Sequence, residues 1–299
     1  MSTRFASDRG LTVRMVMTMF LLGLLYVVFV GALIALGVRA LGVLLIAGGM
    51  LLVQYFLSDR IALFAMGGRE VSPQEAPALH GLIDRLCAMA DMPKPRVAIA
   101  DSDVPNAFAT GRDRQHSVVC VTTGILRRLE PRELEGVLAH ELSHVAHRDV
   151  AVMTIASFLG ILAGLMTRFA LYSGLGRSRD SNQGGLPIGL IVMLVSIAVY
   201  AVSFLLTRAL SRYRELAADR AGALLTQQPS VLASALVKVS GEMARIPTRD
   251  LREAEPFNAF YFAPALAPGK ALAQLFSTHP PLERRLENLE KISAQLGKG

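Results

Sequence analysis

Tryptophan is absent from the 299-residue chain, cysteine occurs twice, and charged residues make up only 18% of it. The two cysteines, Cys87 and Cys120, have no close thiol neighbour, which excludes a disulfide framework and favours two buried, reduced side chains. The formal charge is +7, yet no phosphate-binding loop and no interleaving of aromatic and basic residues accompanies it. Nucleic-acid binding is therefore not expected.

The chain is rich in apolar residues. They make up 52% of the chain, and the mean hydropathy is +0.43, whereas soluble domains carry roughly a quarter charged residues. A membrane-spanning helix needs about 20 apolar residues. Four stretches have the composition of spanning helices: residues 15–36, 41–57, 150–172 and 186–207. The length of the first stretch, and the second stretch that follows it at once, favour an N-terminal hairpin over a cleaved signal peptide.

These stretches predict an alternation of membrane hairpins and polar blocks. An even number of spans places both polar blocks on one side of the bilayer, and their arginine content favours the cytoplasmic side. Arginines at 168, 177 and 179 would lie on the far side, against that rule. The polar loop 173–185 joins the third and fourth stretches. The predicted divisions are a hairpin over 1–57, half of a polar domain over 58–149, a second hairpin over 150–207 and the other half over 208–299.

A histidine pair in the first polar block carries the strongest chemical signal. The pattern predicts a helix from Pro131, and residues four apart on a helix point the same way. His140 and His144 are therefore placed to bind one zinc ion, and Glu141, beside the first, can act as general base toward an attacking water. His147 lies another turn along the axis and is interpreted as a helix-end or interfacial residue. This pattern is typical of a zinc metallopeptidase.

A catalytic zinc usually has three protein ligands. No later histidine has a suitable spacing from His144, which leaves the carboxylates that follow the last apolar stretch. Glu215 is the candidate third ligand. Asp219 lies on the same helix face and can accept an N–H bond from a ligand histidine, which fixes the ring's tautomer. Taken alone, the two acids are also compatible with solvated ion pairs on a helix.

The sequence resembles the HtpX-like membrane metalloproteases, relatives of the CAAX prenyl protease Ste24. The resemblance covers nearly the whole chain, and it implies a mainly α integral membrane protein. Four apolar helices in two hairpins would accompany a cytosolic, zincin-like α+β peptidase domain with a small β-sheet. It implies one Zn²⁺ per chain, bound by His140, His144 and Glu215, with Glu141 catalytic. The stretches that carry it are residues 106–111, 137–144, 214–219 and 277–285.

The resemblance also implies a function: an endopeptidase of the bacterial inner membrane that cleaves misfolded or damaged membrane proteins. An alternative is a catalytically silent adaptor descended from such an enzyme; it would be expected to lack Glu141 or a ligand, and the sequence retains both. His279 can donate a hydrogen bond to the oxyanion of the tetrahedral intermediate. The favoured interpretation is that it caps a helix beginning at Pro280. One segment is interpreted either as a strand that pairs with substrate or as a tight turn: Asn106, Ala107, Phe108 and Ala109.

Overall fold

The computed structural model describes residues 9–35, 40–149 and 188–245, a C-terminal segment over 279–297, and a few helical positions between 152 and 167. Two compact units are formed. One comprises Met1–Leu11, Leu57–Ala151 and Ser211–Gly299, and the other Thr12–Phe56 and Val152–Leu210. The described part of the chain is mostly helical, with one small sheet.

The unit built from Thr12–Phe56 and Val152–Leu210 is helical and apolar. Helix α1 spans Arg9–Ala35, α2 spans Ala40–Ala65, and a 39-residue helix, here α6, spans Ile188–Thr226. Large apolar side chains of α1 are exposed, Val16 at 64% and Phe20 at 65%, as expected of a surface that faces lipid rather than water. Two described helices are long and apolar enough to cross a membrane: Arg9–Ala35, and Leu190–Thr226 within α6.

Those two helices cover residues 15–35 of the first predicted stretch and 190–207 of the fourth. The second lies within α2, and its spanning of a bilayer stays a prediction. The third lies largely outside the described residues. The predicted end of the fourth at residue 207 is not a helix end, because α6 continues without a break to Thr226. Leucine and alanine on both sides of the polar residues 211–215 sustain the helix.

The other unit contains a four-stranded mixed sheet. Its strands are Gly68–Glu70 (β1), Arg96–Ala100 (β2), Ala107–Gly111 (β3) and Ser117–Thr122 (β4), in the order β1-β2-β4-β3. Strand β4 is central and buried throughout, pairing in parallel with β2 and antiparallel with β3. Its sequence, Ser-Val-Val-Cys-Val-Thr, is a nearly continuous run of valine and small residues, which suits a strand covered on both faces. Strand β3 lies at the edge of the sheet, and its register sets Ala109 opposite Val119.

Helices of the same unit cover the sheet and bury a common apolar core. The central one, α5, begins at Pro131 as predicted, and the Glu133 carboxylate accepts the Glu130 N–H at 3.0 Å to close its first turn. Glu133 also accepts bonds from Ser234 at 2.7 Å and Lys238 at 2.8 Å, which attach α5 to α7. The remaining helices are α3 (Pro77–Ala90), α4 (Thr123–Arg128), α5 (Pro131–Ala146), α7 (Pro229–Arg245) and α8 (Leu282–Leu296).

Candidate metal centre

Helix α5 carries the predicted histidine pair on its buried face. His140 is 1% exposed and His144 is 6% exposed, and their ring centroids lie 4.9 Å apart at an interplanar angle of 88°. The four-residue spacing places the rings one turn apart on the same side, as expected. Glu141, between them in sequence, is also buried. Three polar side chains on one buried face would be costly without partners.

Glu215 of α6 supplies the partner to both rings. Its Oε2 lies 3.6 Å from His140 Nε2, and its Oε1 lies 3.5 Å from His144 Nε2. All three side chains offer donor atoms within 4.8 Å of one another. Ligand atoms bound at about 2.0–2.1 Å in a tetrahedral site lie roughly 3.3 Å apart. The spacing and the chemistry of the donors therefore fit a metal ion held by two imidazoles and a carboxylate.

Gly222 allows α6 to approach α5 closely enough for Glu215 to reach both histidines. A Cβ added at Gly222 would lie 2.9 Å from His140 N and 3.2 Å from the Ala139 carbonyl carbon. Real Cβ atoms essentially never make a backbone contact as short as 2.9 Å, so glycine is needed for this approach of the two helices. Sequence alone could not give Gly222 this role, because nothing local distinguishes it from other helical glycines.

Each histidine turns its other ring nitrogen to an aspartate. His140 Nδ1 lies 2.9 Å from Asp219 Oδ1, so Asp219 lies beside a candidate ligand histidine, as expected. His144 Nδ1 lies 2.8 Å from Asp149 Oδ2, a contact that the sequence did not predict. A ring that donates its Nδ1 proton to a carboxylate keeps the Nε2 lone pair for a metal. Both Nε2 atoms face Glu215, so each ring in its neutral form would direct its lone pair to the same point.

Both aspartates are paired in turn with buried arginines. Arg285 of α8 is 2% exposed, and it donates to Asp219 from Nε at 2.8 Å and from Nη2 at 2.6 Å. This two-pronged geometry matches guanidinium to carboxylate. Arg214 Nε lies 3.1 Å from Asp149 Oδ2. Asp149, Arg214 and Arg285 were not identified as site residues from the sequence, although the last two lie in stretches that carried the family resemblance.

Burial and neighbouring charges move the pKa values of the two histidines and Glu141 in different directions. Burial favours the neutral ring of His140, but hydrogen bonds with Asp219 and Glu215 outweigh it and raise its pKa to about 9. Burial dominates at His144 and lowers its pKa. Burial raises the pKa of Glu141 to about 7, with His140 opposing the shift. A carboxyl poised near neutrality suits a group that takes up and releases a proton.

Glu141 is hydrogen-bonded to the edge strand of the sheet. The Ala109 N–H donates to Glu141 Oε2 at 3.0 Å. That N–H therefore points away from β4, and since a strand residue directs its N–H and C=O to the same side, the Ala109 carbonyl does too. Asn106 is completely buried and precedes the strand, while Ala107 and Phe108 are also buried within it. The segment 107–111 is a strand, so the tight-turn interpretation was wrong.

His279 lies at the centre rather than at a helix end. Its Nδ1 lies 3.0 Å from Glu215 Oε2, and the ring is buried. The favoured interpretation as a cap was wrong, because the helix begins at Leu282 with Pro281 as its N-cap and without a side-chain cap bond. His147 does lie at a helix end: it is the C-cap residue of α5, and its ring bonds to the Ser143 carbonyl at 2.8 Å.

A helix with an HExxH histidine pair, a carboxylate from a second helix and an edge strand beside the glutamate define the metallopeptidase class. The model of "Peptidase family M48" matches residues 73–293. The chain belongs to peptidase family M48.

Curated relatives match along almost their full length. "Protease HtpX homolog 1" of Streptomyces coelicolor is 64% identical over 299 residues, covering 100% of this chain and 98% of the relative. "Protease HtpX homolog" of Moorella thermoacetica is 53% identical, covering 99% of each. The crystal structure of S. mikatae Ste24p superposes with a TM-score of 0.50 at 18% identity, covering 94% of this chain. At 18% identity this likeness concerns the fold alone, and this chain spans 66% of that longer one.

Proposed function

We propose that this chain is a zinc-dependent endopeptidase of the membrane, in which His140, His144 and Glu215 bind one Zn²⁺. The observation that carries the proposal is the convergence of two imidazole Nε2 atoms on one carboxylate at 3.5 and 3.6 Å. Two nitrogen donors and one carboxylate form the ligand set of several catalytic zinc sites, in which a fourth position stays open. When bound, zinc would act as the Lewis acid that polarises the scissile carbonyl and the attacking water.

The protein's own groups supply the proton transfers. Glu141 is placed next to the first ligand, and its carboxylate takes a proton from the attacking water and delivers it to the leaving amine. Its pKa of about 7 keeps a large fraction as carboxylate at neutral pH while leaving it able to donate. Burial of the cluster excludes bulk water and strengthens these electrostatic effects. His279, bonded to Glu215, holds the carboxylate in place.

Strand β3 is the proposed binding edge for the substrate backbone. It pairs only with β4 among the described strands, and Ala109 lies in hydrogen-bond contact with Glu141. An extended polypeptide that adds to this edge would present its backbone beside Glu141 without regard to its sequence. Ala107, Phe108 and Ala109 would form this edge, while buried Asn106 would hold its start.

Membrane proteins are the proposed substrates, and the cytoplasm is the proposed side of the zinc site. Helix α6 carries a long apolar stretch and Glu215 in one continuous helix, which favours chains that are themselves anchored in the bilayer. The cleavage of misfolded or damaged membrane proteins follows from the family resemblance. The alternative of a silent adaptor has no support in the described residues, since Glu141 and all three candidate ligands are present.

The test compares purified wild-type protein with Glu141→Gln. We expect both to hold one zinc per chain and the variant to lose cleavage of unfolded casein by about 10²–10⁴-fold, the usual contribution of general base catalysis. Glu135→Gln is the matched control, because Glu135 lies on the same helix and pairs with surface Arg85. Equal cleavage by wild type and Glu141→Gln, or a wild type without zinc and without cleavage, would refute the proposal.

A further inference from the structure

Asp149 lies where the helix of the histidine pair ends. It is 1% exposed, and its Oδ2 lies 2.8 Å from His144 Nδ1. A buried carboxylate normally has a strong structural or functional reason to be there, because its desolvation is costly. Here the bond is made to a candidate ligand, on the ring nitrogen that does not face Glu215.

The backbone reverses at the end of α5 to bring Asp149 back to His144. The helix ends at Ala146, with His147 as its C-cap, and Arg148 takes a left-handed conformation with φ of 58°. Residues other than glycine rarely adopt this conformation, because their Cβ lies too close to the following carbonyl oxygen. A continuing helix would carry residue 149 away along the axis, whereas the reversal folds it beside a side chain five residues earlier.

Arg214 approaches the same contact from α6, directly before Glu215 in sequence. Its Nε lies 3.1 Å from Asp149 Oδ2, and its Nη2 lies 3.4 Å from His144 Nδ1. The shorter of the two contacts to Nδ1 is the one from Asp149, which fixes Nδ1 as a proton donor and Nε2 as the atom with the lone pair. The arginine balances the charge of the carboxylate and holds it against the ring.

We infer that Asp149, held by Arg214, is a positioning residue that fixes the tautomer and orientation of His144 for zinc. The inference rests on the proposed function. The pair is the counterpart of Asp219 and Arg285 at His140, so each imidazole has its own aspartate and its own arginine. Arg214 also joins the two helices that carry ligands, because it neighbours Glu215 in the chain and contacts His144 across the site.

Zinc affinity tests the inference apart from catalysis. The free zinc concentration at half-occupancy is measured by chelator competition on the full chain in detergent, for wild type, Asp149→Asn and Arg214→Lys. We expect Asp149→Asn to weaken binding by about 10–100-fold, as for other partners of ligand histidines, and Arg214→Lys to weaken it less. Casein cleavage by Asp149→Asn should return when free zinc is raised, since added metal compensates for weaker binding. Asp59→Asn is the matched control, because Asp59 is a buried carboxylate paired with Arg96 in the same unit.

Asp149→Asn that holds zinc as tightly as wild type would overturn the inference and leave the proposed function standing. A loss of cleavage that zinc cannot restore, in a variant with unchanged zinc affinity, would also overturn it. A wild-type protein that binds no zinc would overturn both. Equal weakening by Asp59→Asn would show a general effect on the fold and would count against a positioning role.

Discussion

At the scale of single residues, the two histidines of the centre differ in their protonation. His144 has a lowered pKa, so it is neutral and ready to bind a metal over the physiological range. His140 has a pKa raised to about 9 by Asp219 and Glu215, so in the metal-free protein its ring carries a proton below that pH. In the proposed site zinc would have to displace this proton, because only the neutral imidazole is a ligand.

The apparent zinc affinity is therefore expected to fall as the pH is lowered. The protonated form of His140 dominates below its raised pKa of about 9, so each pH unit below that value should cost about tenfold in affinity. Chelator competition at about pH 8.5 and about pH 7.5 checks this. Asp219→Asn removes a cause of the raised pKa and should flatten the dependence. An affinity that does not change over this range in the wild type would contradict the assignment.

Sequence spacing was sufficient to predict some residues of the centre and not others. His140, Glu141 and His144 follow from one helical turn, and the structure brings the first and third together with Glu215. The partners Asp149 and Arg285 depend on a chain reversal at Arg148 and on the packing of α8. Neither is encoded in a local repeat, so periodicity could not reveal them. His279 was misjudged for the same reason, since its contact with Glu215 is made across 64 positions.

At the scale of elements, the site is a junction between α5 and α6 that a single glycine permits. Gly222→Ala would place a methyl group 2.9 Å from His140 N and should separate the helix of the histidines from the helix of Glu215. We expect weaker zinc binding and a lower thermal midpoint, by several degrees at least, because backbone cannot yield to the added atom.

Gly241→Ala provides the control for that change. Nothing lies within 4 Å of a Cβ at this position of α7, and alanine is favoured over glycine in a helix by about 1 kcal/mol. The control should be neutral or slightly stabilising, with unchanged zinc binding. If Gly222→Ala behaved in the same way, the close approach of the two helices would be refuted.

The edge strand gives a second prediction at this scale. Ala109→Pro removes an N–H that is directed to Glu141 rather than to β4, so the sheet should survive while pairing with substrate is impaired. We expect a raised KM for casein and a lower kcat, because Glu141 also loses a hydrogen bond, with unchanged zinc content. Ala109→Val keeps the N–H and should change KM little. A proline variant with wild-type KM would remove β3 from the proposed binding edge.

The elements themselves were largely predictable, because their patterns are local. Strands over 96–100 and 117–122 and a helix from Pro131 are present as expected. The end of α6 was not, since a hydropathy profile detects where apolar residues stop and not where the helix stops. The sheet order β1-β2-β4-β3 also lay beyond reach, because pairing β2 with β4 and leaving β3 at the edge is decided by tertiary packing.

At the scale of the whole molecule, the alternation of apolar and polar segments predicts the topology. Both polar blocks should lie in the cytoplasm, with the 173–185 loop on the opposite side. In a background without Cys87 and Cys120, Ser178→Cys should react with a membrane-impermeant maleimide in intact cells. Ser293→Cys, exposed on α8, should react only after the cells are permeabilised. The reverse pattern would invert the orientation, and labelling of both in intact cells would refute a cytoplasmic position of the 208–299 block.

Anomalous diffraction at the zinc absorption edge, from crystals of the zinc-loaded full chain, tests the centre most directly. We predict a single peak about 2.0–2.1 Å from Nε2 of both His140 and His144 and at bonding distance from a Glu215 carboxylate oxygen. A peak bound elsewhere, or a Glu215 side chain turned away from the ion, would contradict the proposed metal site and the mechanism built on it.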